Sequence, residues 1–201
     1  MTPLKRIFDV LAAICLGLVL LPVIIVISAV IAVRDGRPIF YLSERMRGIG
    51  DGFQLVKFRT MRHSDVNTGV SGGDKASRIT ATGQFLRRTR LDEIPQLWNV
   101  LRGDISFVGP RPPLRQYVEQ CPEIYAEVLR SRPGITGLAS VHYHRHEERL
   151  LSRTQTVEET DATYRGICVP RKAKIDLIYQ RHQNICFDVA IMWRTVFKRS
   201  A

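Results

Sequence analysis

Acidic residues are scarce in this chain: 19 Asp and Glu stand against 30 Lys and Arg over 201 residues, a net charge of +11. That imbalance calls for an anionic partner, whether nucleic acid, lipid headgroups or a phosphorylated substrate. Cysteine is scarce too. Cys15, Cys121, Cys168 and Cys186 share no paired spacing and form no C-x-x-C. They fit a reducing compartment, and spacing makes none of them a metal ligand or a nucleophile. Repeats and low-complexity tracts are absent. Nothing has the pattern of a recognition helix or an aromatic stacking sheet, so nucleic acid rests on charge alone. Apolar residues make up 45% of the chain, enough for a core, and the length fits one domain with at most an appendage.

One stretch lacks charge altogether. Val10 to Val33 is a run of 24 uncharged residues. As a helix it measures about 36 Å, enough to cross a hydrocarbon core of ~30 Å. It is too long for a secretory signal, and no small-x-small cleavage site follows it, so it is expected to be retained. Lys5 and Arg6 precede it; Arg34 and Arg37 follow it. Both ends therefore compete for the cytoplasmic side. Pro22, near the midpoint, removes a backbone hydrogen bond and can kink the helix. A helix that enters and leaves by one face satisfies both flanks; a plain spanning helix with a tolerated proline fits the same residues.

Beyond the apolar run, Ile39–Leu42 and "GFQLVKFRTMR" predict two strands joined through "GIGDG" as a small hairpin. Residues 64–77 are polar and Gly-rich and read as a mobile loop. Helices are expected from Thr82 toward Arg88, from Asp92 to Leu101, and over Leu114–Arg130 with a division at Pro122. "VGPRPP" and "SRPGITG" break the chain. A last helix is expected over 173–199, interrupted near "NICFD". Its end is apolar on one side and basic at the finish, which suits a membrane-surface helix with Trp193 at headgroup depth and equally suits a core helix.

Asp92 and Glu93 form an acidic pair among arginines. Adjacent positions on a helix point about 100° apart, so the two carboxylates do not converge on one spot and do not make a glycosidase pair. Pro95 is tolerated in a first helical turn, which places both acids at a helix N-terminus, where the dipole favours their ionised forms. An ionised Asp can attack phosphorus, or hold Mg²⁺ together with substrate phosphates. The plain alternative is charge decoration of a helix start capped by Thr89.

"KFRTM" (Lys57–Met61), "LDEIPQLWNVLRGDISFVGPRP" (Leu91–Pro112) and "RPGITGLA" (Arg132–Ala139) resemble the bacterial sugar transferase family, the small monotopic phosphoglycosyl transferases. The resemblance implies a mostly helical α+β fold. A re-entrant helix-break-helix over 1–36, with Pro22 at the break, would anchor a catalytic domain over 37–201 that carries a small β-hairpin and membrane-surface helices. The family's usual Ser-Pro pair is Leu21-Pro22 here.

It also implies chemistry. A UDP-sugar donates its phosphosugar to polyprenyl (undecaprenyl) phosphate and releases UMP, at the cytoplasmic face of the bacterial inner membrane, as the first membrane step of exopolysaccharide, O-antigen or glycoconjugate assembly. On this reading Asp92 is the nucleophile of a ping-pong route and a ligand of Mg²⁺. Glu93 assists the acceptor phosphate or the metal. Lys57, Arg59, Arg87 and Arg111 bind substrate, with membrane lipids as the other partner and nucleic acid as none.

Past Ala139 the sequence departs from the family pattern, so the sugar does not carry over. His142, His144 and His146 alternate. On a strand they would share one face, as a metal site or as an exposed polar patch. The segment "EERLLSRTQTVEETDATY" reads as an exposed helix or insert. The alternative function is an inactive membrane-bound scaffold of polysaccharide assembly; the intact acidic pair and "GPRP" argue against it.

Overall fold

A computed structural model gives the structure of the protein and describes residues 2–62 and 78–197. The Gly-rich stretch expected to be a loop lies outside these residues, as does the last part of the expected C-terminal helix. The fold is mostly helical, with an antiparallel hairpin and a second, very small parallel sheet.

The first helix, α1 (Pro3–Arg34), begins where Thr2 accepts the Lys5 N–H on its hydroxyl and Pro3 takes the first helical position. It runs for 32 residues, about 48 Å. The chain stays helical across Pro22, which lies inside the helix. One stripe packs inward: Ala13 and Leu20, then Ile24, Ile27 and Ile31. Most of its other large apolar side chains, among them Leu18, Val19 and Val26, face outward.

Both ends of α1 are tied to the same globular body. At the start, Lys5 forms a buried ion pair with Asp188, and Asp188 also accepts the Tyr179 hydroxyl at 2.7 Å. Arg6 donates to the carbonyls of Val100 and Leu101 at 2.6 and 2.7 Å. At the far end, Ile27 and Ile31 pack with Phe58 and Leu86. The carboxylate of Asp35 accepts the Thr80 hydroxyl at 3.2 Å.

The expected hairpin forms from β1 (Phe40–Gly48) and β2 (Asp51–Phe58). The outer edge of β2 is closed by a side chain: Asn99 accepts the Val56 N–H at 2.9 Å and donates to the Gln54 carbonyl at 2.7 Å. Buried backbone groups at an edge require such partners.

Helix α2 (Ala81–Thr89) is capped by Thr80, whose hydroxyl accepts the Gly83 N–H at 2.9 Å. A Cβ on Gly83 would lie 2.1 Å from the Thr60 carbonyl oxygen. Glycine therefore lets α2 press against the chain leaving β2. A 3₁₀ turn (Leu91–Glu93) and α3 (Gln96–Arg102) follow.

The two Gly/Pro motifs that break the sequence meet in space. β3 (Ser106–Val108) pairs in parallel with β4 (Gly134–Thr136). Gly109 donates to the Thr136 carbonyl, and Gly134 to the Pro110 carbonyl, both at 2.9 Å. Cβ atoms there would sit 2.1–2.2 Å from facing backbone. Helices α4 (Arg115–Gln120) and α5 (Pro122–Val128) divide at Pro122 as expected.

Helix α6 (Leu138–Leu151) takes up all three alternating histidines. This corrects the strand reading: on a helix, residues two apart point to opposite sides. His144 lies by Glu148 and Arg90, while His146 lies by Arg171. The charged segment after it ends α6 and forms α7 (Val157–Thr163), which passes through a π-helical turn (Tyr164–Cys168) into α8 (Val169–His182) and then α9 (Ile185–Phe197). The break between α8 and α9 falls where the sequence placed it.

Candidate active site

The acidic pair sits on the 3₁₀ turn, ahead of Pro95 and α3. Thr89 does not cap it; its hydroxyl donates back to the Phe85 carbonyl at 2.9 Å. The turn is entered through Arg90 in the left-handed region, φ 63°, a conformation a non-glycine residue adopts only under local constraint. That reversal lets α2 end and Asp92 and Glu93 face different neighbours.

Glu93 is caged by cations. Its Oε1 accepts from Lys57 Nζ at 2.9 Å and from Arg111 Nη2 at 3.2 Å, with Arg90 Nη1 at 3.7 Å. Burial pushes its carboxyl up, but Arg111, Lys57 and Arg90 outweigh burial and hold it down at about 2. Asp92 goes the other way. It is buried, and burial followed by the negative charge of Glu93 raises its pKa; Lys57, Arg87 and Arg90 pull against that rise. The helix dipole was expected to favour ionisation of both acids. Desolvation and the cation cage separate them instead. Asp92 Oδ1 is buried with no hydrogen-bond partner among the described residues.

The expected phosphate-binding cations converge from three segments. Lys57, near the end of β2, reaches Glu93. Arg111 is held by the turn after β3, which is fixed on one side by β4 and on the other by Met46, whose N–H donates to the Pro113 carbonyl at 3.0 Å. Arg87 stands four residues after Gly83 on the same face of α2, and its Nε donates to the Thr60 hydroxyl at 2.9 Å. Arg59 does not share the target of Lys57. It donates to the carbonyls of Asp35 and Gly36, clamping the end of α1. Arg59, Arg87 and Arg111 all line one cavity of about 630 Å³, a size suited to a nucleotide-sugar. Pro22 lies in α1, away from this cavity.

The cavity extends well past the expected residues. Arg45 from β1, Glu147 from α6, Tyr164 from the π turn, and Lys172 and Asp176 from α8 line it as well. Sequence reasoning missed them. A signal was available for Asp176: Val169, Ala173, Asp176 and Tyr179 form the buried stripe of α8, so a carboxylate occupies a core position of a helical repeat.

A metal fits this site only as a shared ligand. Among the described residues there is no group of three or more His, Cys, Asp or Glu side chains able to hold an ion. The free Oδ1 of Asp92 is one hard oxygen, suited to a Mg²⁺ whose remaining ligands are phosphates and water.

A family model described as bacterial sugar transferase matches residues 1–200. The chain belongs to the bacterial sugar transferase family. The sugar transferase EpsL of Bacillus subtilis (strain 168), itself uncharacterized, is 41% identical over 139 residues, 69% of this chain and 68% of that protein. The UDP-glucose:undecaprenyl-phosphate glucose-1-phosphate transferase of Escherichia coli (strain K12) is 33% identical over 201 residues, 97% of this chain and 40% of that protein. The protein of the same name from Caulobacter vibrioides is 34% identical over 197 residues, 96% of this chain and 68% of that protein. The chain thus spans well under half of the Escherichia coli sugar transferase and about two thirds of the Caulobacter one.

Proposed function

We propose that this protein transfers a sugar 1-phosphate from a UDP-sugar to undecaprenyl phosphate and releases UMP. The observation that carries this reading is a buried carboxylate, Asp92, with a free oxygen, beside Arg87, which walls a nucleotide-sized cavity. The names of the glucose-1-phosphate transferases it resembles support it. In the first step an Asp92 oxygen attacks the phosphorus that bears the sugar. The bond to the bridging oxygen breaks, UMP departs with its electron pair, and an aspartyl phosphosugar remains. In the second step an oxygen of the lipid phosphate attacks the same phosphorus. Asp92 leaves as a carboxylate, and the product is a polyprenyl diphosphate sugar.

Two anions must approach a carboxylate, so cations are required. Burial keeps Asp92 poorly hydrated, and Lys57, Arg87 and Arg90 counter its charge. The Arg111 guanidinium suits a phosphate oxygen. Glu93, bonded to both Lys57 and Arg111, fixes these two cations relative to each other. Asp92 would hold Mg²⁺, which when bound would neutralise phosphate charge.

The seating of the protein follows from α1. Lys5 and Arg6 at one end, and Ile31 and Asp35 at the other, are bound to one body. This supports a re-entrant helix with both basic flanks on the cytoplasmic face and the domain over 37–201 beneath it. The outward Val189, Trp193, Val196 and Phe197 of α9 support a helix lying on the same surface. Such an enzyme would carry out the first membrane step of exopolysaccharide or related glycoconjugate assembly. Cysteines introduced at Thr2 and Asp35 of a variant lacking the native ones should both resist an impermeant thiol reagent outside intact cells. Labelling of one alone would show a spanning helix.

The chemistry is tested by mixing the purified full chain in lipid nanodiscs with UDP-glucose and Mg²⁺, without lipid acceptor. The expected result is a burst of UMP stoichiometric with protein and a hexose-phosphate adduct on the peptide containing Asp92. Turnover with acceptor but no burst or adduct without it overturns the covalent route. An adduct on Glu93 would exchange the roles of the pair.

A further inference from the structure

The cavity has a second polar end that the transfer chemistry leaves unused. Its order can be followed through charge. Arg111 is influenced most by Glu93 and then by Tyr164 and Glu147; Lys172 interacts with Tyr164 and Glu147 before Arg111; Asp176 responds to Lys172. Lys172 is itself fixed, pairing with Glu147 at 3.0 Å and lying 5.2 Å over the Tyr164 ring. Asp176, one turn further along α8, is only 7% exposed, yet it lines the cavity and its Oδ1 has no hydrogen-bond partner among the described residues. The Ala139 N–H at the start of α6 hydrogen-bonds the carboxylate, which leaves Oδ1 as the oxygen without a donor. A buried carboxylate oxygen without a donor is unfavourable, and such groups call for an explanation.

We infer that Asp176 accepts hydrogen bonds from a pair of neighbouring hydroxyls on the nucleotide-sugar donor, at the end of the cavity walled by Tyr125, Tyr164 and Lys172. The inference rests on the proposed donor class and deepens it. A carboxylate repels phosphate and accepts hydrogen bonds, and the adjacent donors that a UDP-sugar offers are hydroxyls, the uracil having a single N–H. Two parts carry adjacent hydroxyls: the ribose, with its 2′,3′ pair, and the sugar ring. Both offer the same chemistry, and both lie beyond the diphosphate that the arginines would grip. The π turn is what brings Tyr164 to this wall; such turns recur where a helix is adapted to a ligand.

The experiment compares kcat/KM for UMP release from three donors, with undecaprenyl phosphate as acceptor and the full chain in nanodiscs. The donors are UDP-glucose, its 2′-deoxyribose analogue, and UDP-3-deoxyglucose, which lacks the hydroxyl common to both adjacent pairs of the sugar. Wild type should lose about tenfold or more with one of the two analogues; which one assigns the contact to ribose or to sugar. Asp176→Asn should lose a comparable factor with UDP-glucose, and should treat UDP-glucose and that analogue alike to within about twofold. Asp176→Ser should behave in the same way, and a melting curve checks that each variant is folded. Wild-type indifference to both analogues overturns the inference, as does a deoxy penalty that persists undiminished in the folded variants. No UMP release by wild type from any of a panel of UDP-hexoses and UDP-N-acetylhexosamines instead overturns the donor reading on which the subsite rests.

Discussion

The two ends of the site each hold a carboxylate, Glu93 bonded to the cavity-lining Arg111 and Asp176 on the cavity wall itself, and their electrostatics are opposite. At one end Glu93 is surrounded: Lys57, Arg90 and Arg111 all bear on one of its oxygens, and its pKa is held at about 2. At the other, burial raises Asp176 to about 7, with Lys172 pulling weakly against it. Lys172 already has Glu147. The difference shows that burial alone does not set the behaviour of a carboxylate; the number of cations left over for it does. A saturated carboxylate organises its cations. An unsaturated one is left to receive something else.

The sharpest way to break the comparison lies beside the saturated end. Asp92→Asn keeps shape and removes the anion, and UMP release should fall by about a thousandfold or more. Next comes Glu93→Gln, which strips the charge that holds Lys57 and Arg111. Destabilisation on the order of 3 kcal/mol is expected, because removing one partner of a buried pair leaves the other uncompensated. A lowered melting temperature in detergent, together with a raised KM for donor, would register it; an unchanged melting temperature would mean the cage is not structural.

At the unsaturated end the sign reverses. The folded-state pKa of Asp176 lies above its ordinary value of 3.8, so stability present at low pH is lost as pH rises toward 7. Asp176→Asn should therefore melt higher than wild type at pH 8, by roughly 2 kcal/mol or more, with the gap closing as pH falls toward 4. A variant that melts lower at pH 8 would show that the carboxylate is satisfied after all. The smallest effect is expected for Arg88→Ala. Arg88 lies 6.0 Å over the Phe85 ring, itself half exposed, and the substitution should change UMP release and stability by no more than about 0.5 kcal/mol.

Most of the saturated end could be named from the sequence because Lys57, Asp92, Glu93 and Arg111 lie inside motifs, with Arg87 just ahead of one. Asp92, Glu93, Lys57, Arg87 and Arg111 were all nameable, and the hairpin, the division at Pro122 and the break before α9 followed from turn chemistry. The uneven ionisation of Asp92 and Glu93 was hidden, since it depends on Lys57 and Arg111 arriving from distant segments. The β3–β4 pairing was hidden too: three-residue strands have no period to detect, and only the close backbone approach at Gly109 and Gly134 explains the glycines. The histidine run misled because alternation within a polar stretch does not separate strand from helix without an apolar face. Asp176 was missed for a different reason. It belongs to a helix whose surface is crowded with charge, so one acid at a core position did not stand out.

The ion pair between Lys5 and Asp188 joins the first helix to the last, with Tyr179 bonded to the same carboxylate and to the Val108 carbonyl at 3.1 Å. If α1 seats in the membrane as proposed, it is therefore not a leash from which the rest of the protein swings. Val108 immediately precedes the turn that carries Arg111, so in the proposed seating the height and tilt of the site over the lipid would be built in, and a lipid phosphate would always arrive from one direction. The same joint means that cutting off residues 1–36 would not release a soluble enzyme. It would strip the cation from Asp188 in the middle of the core and uncover the apolar seam on which α1 rests.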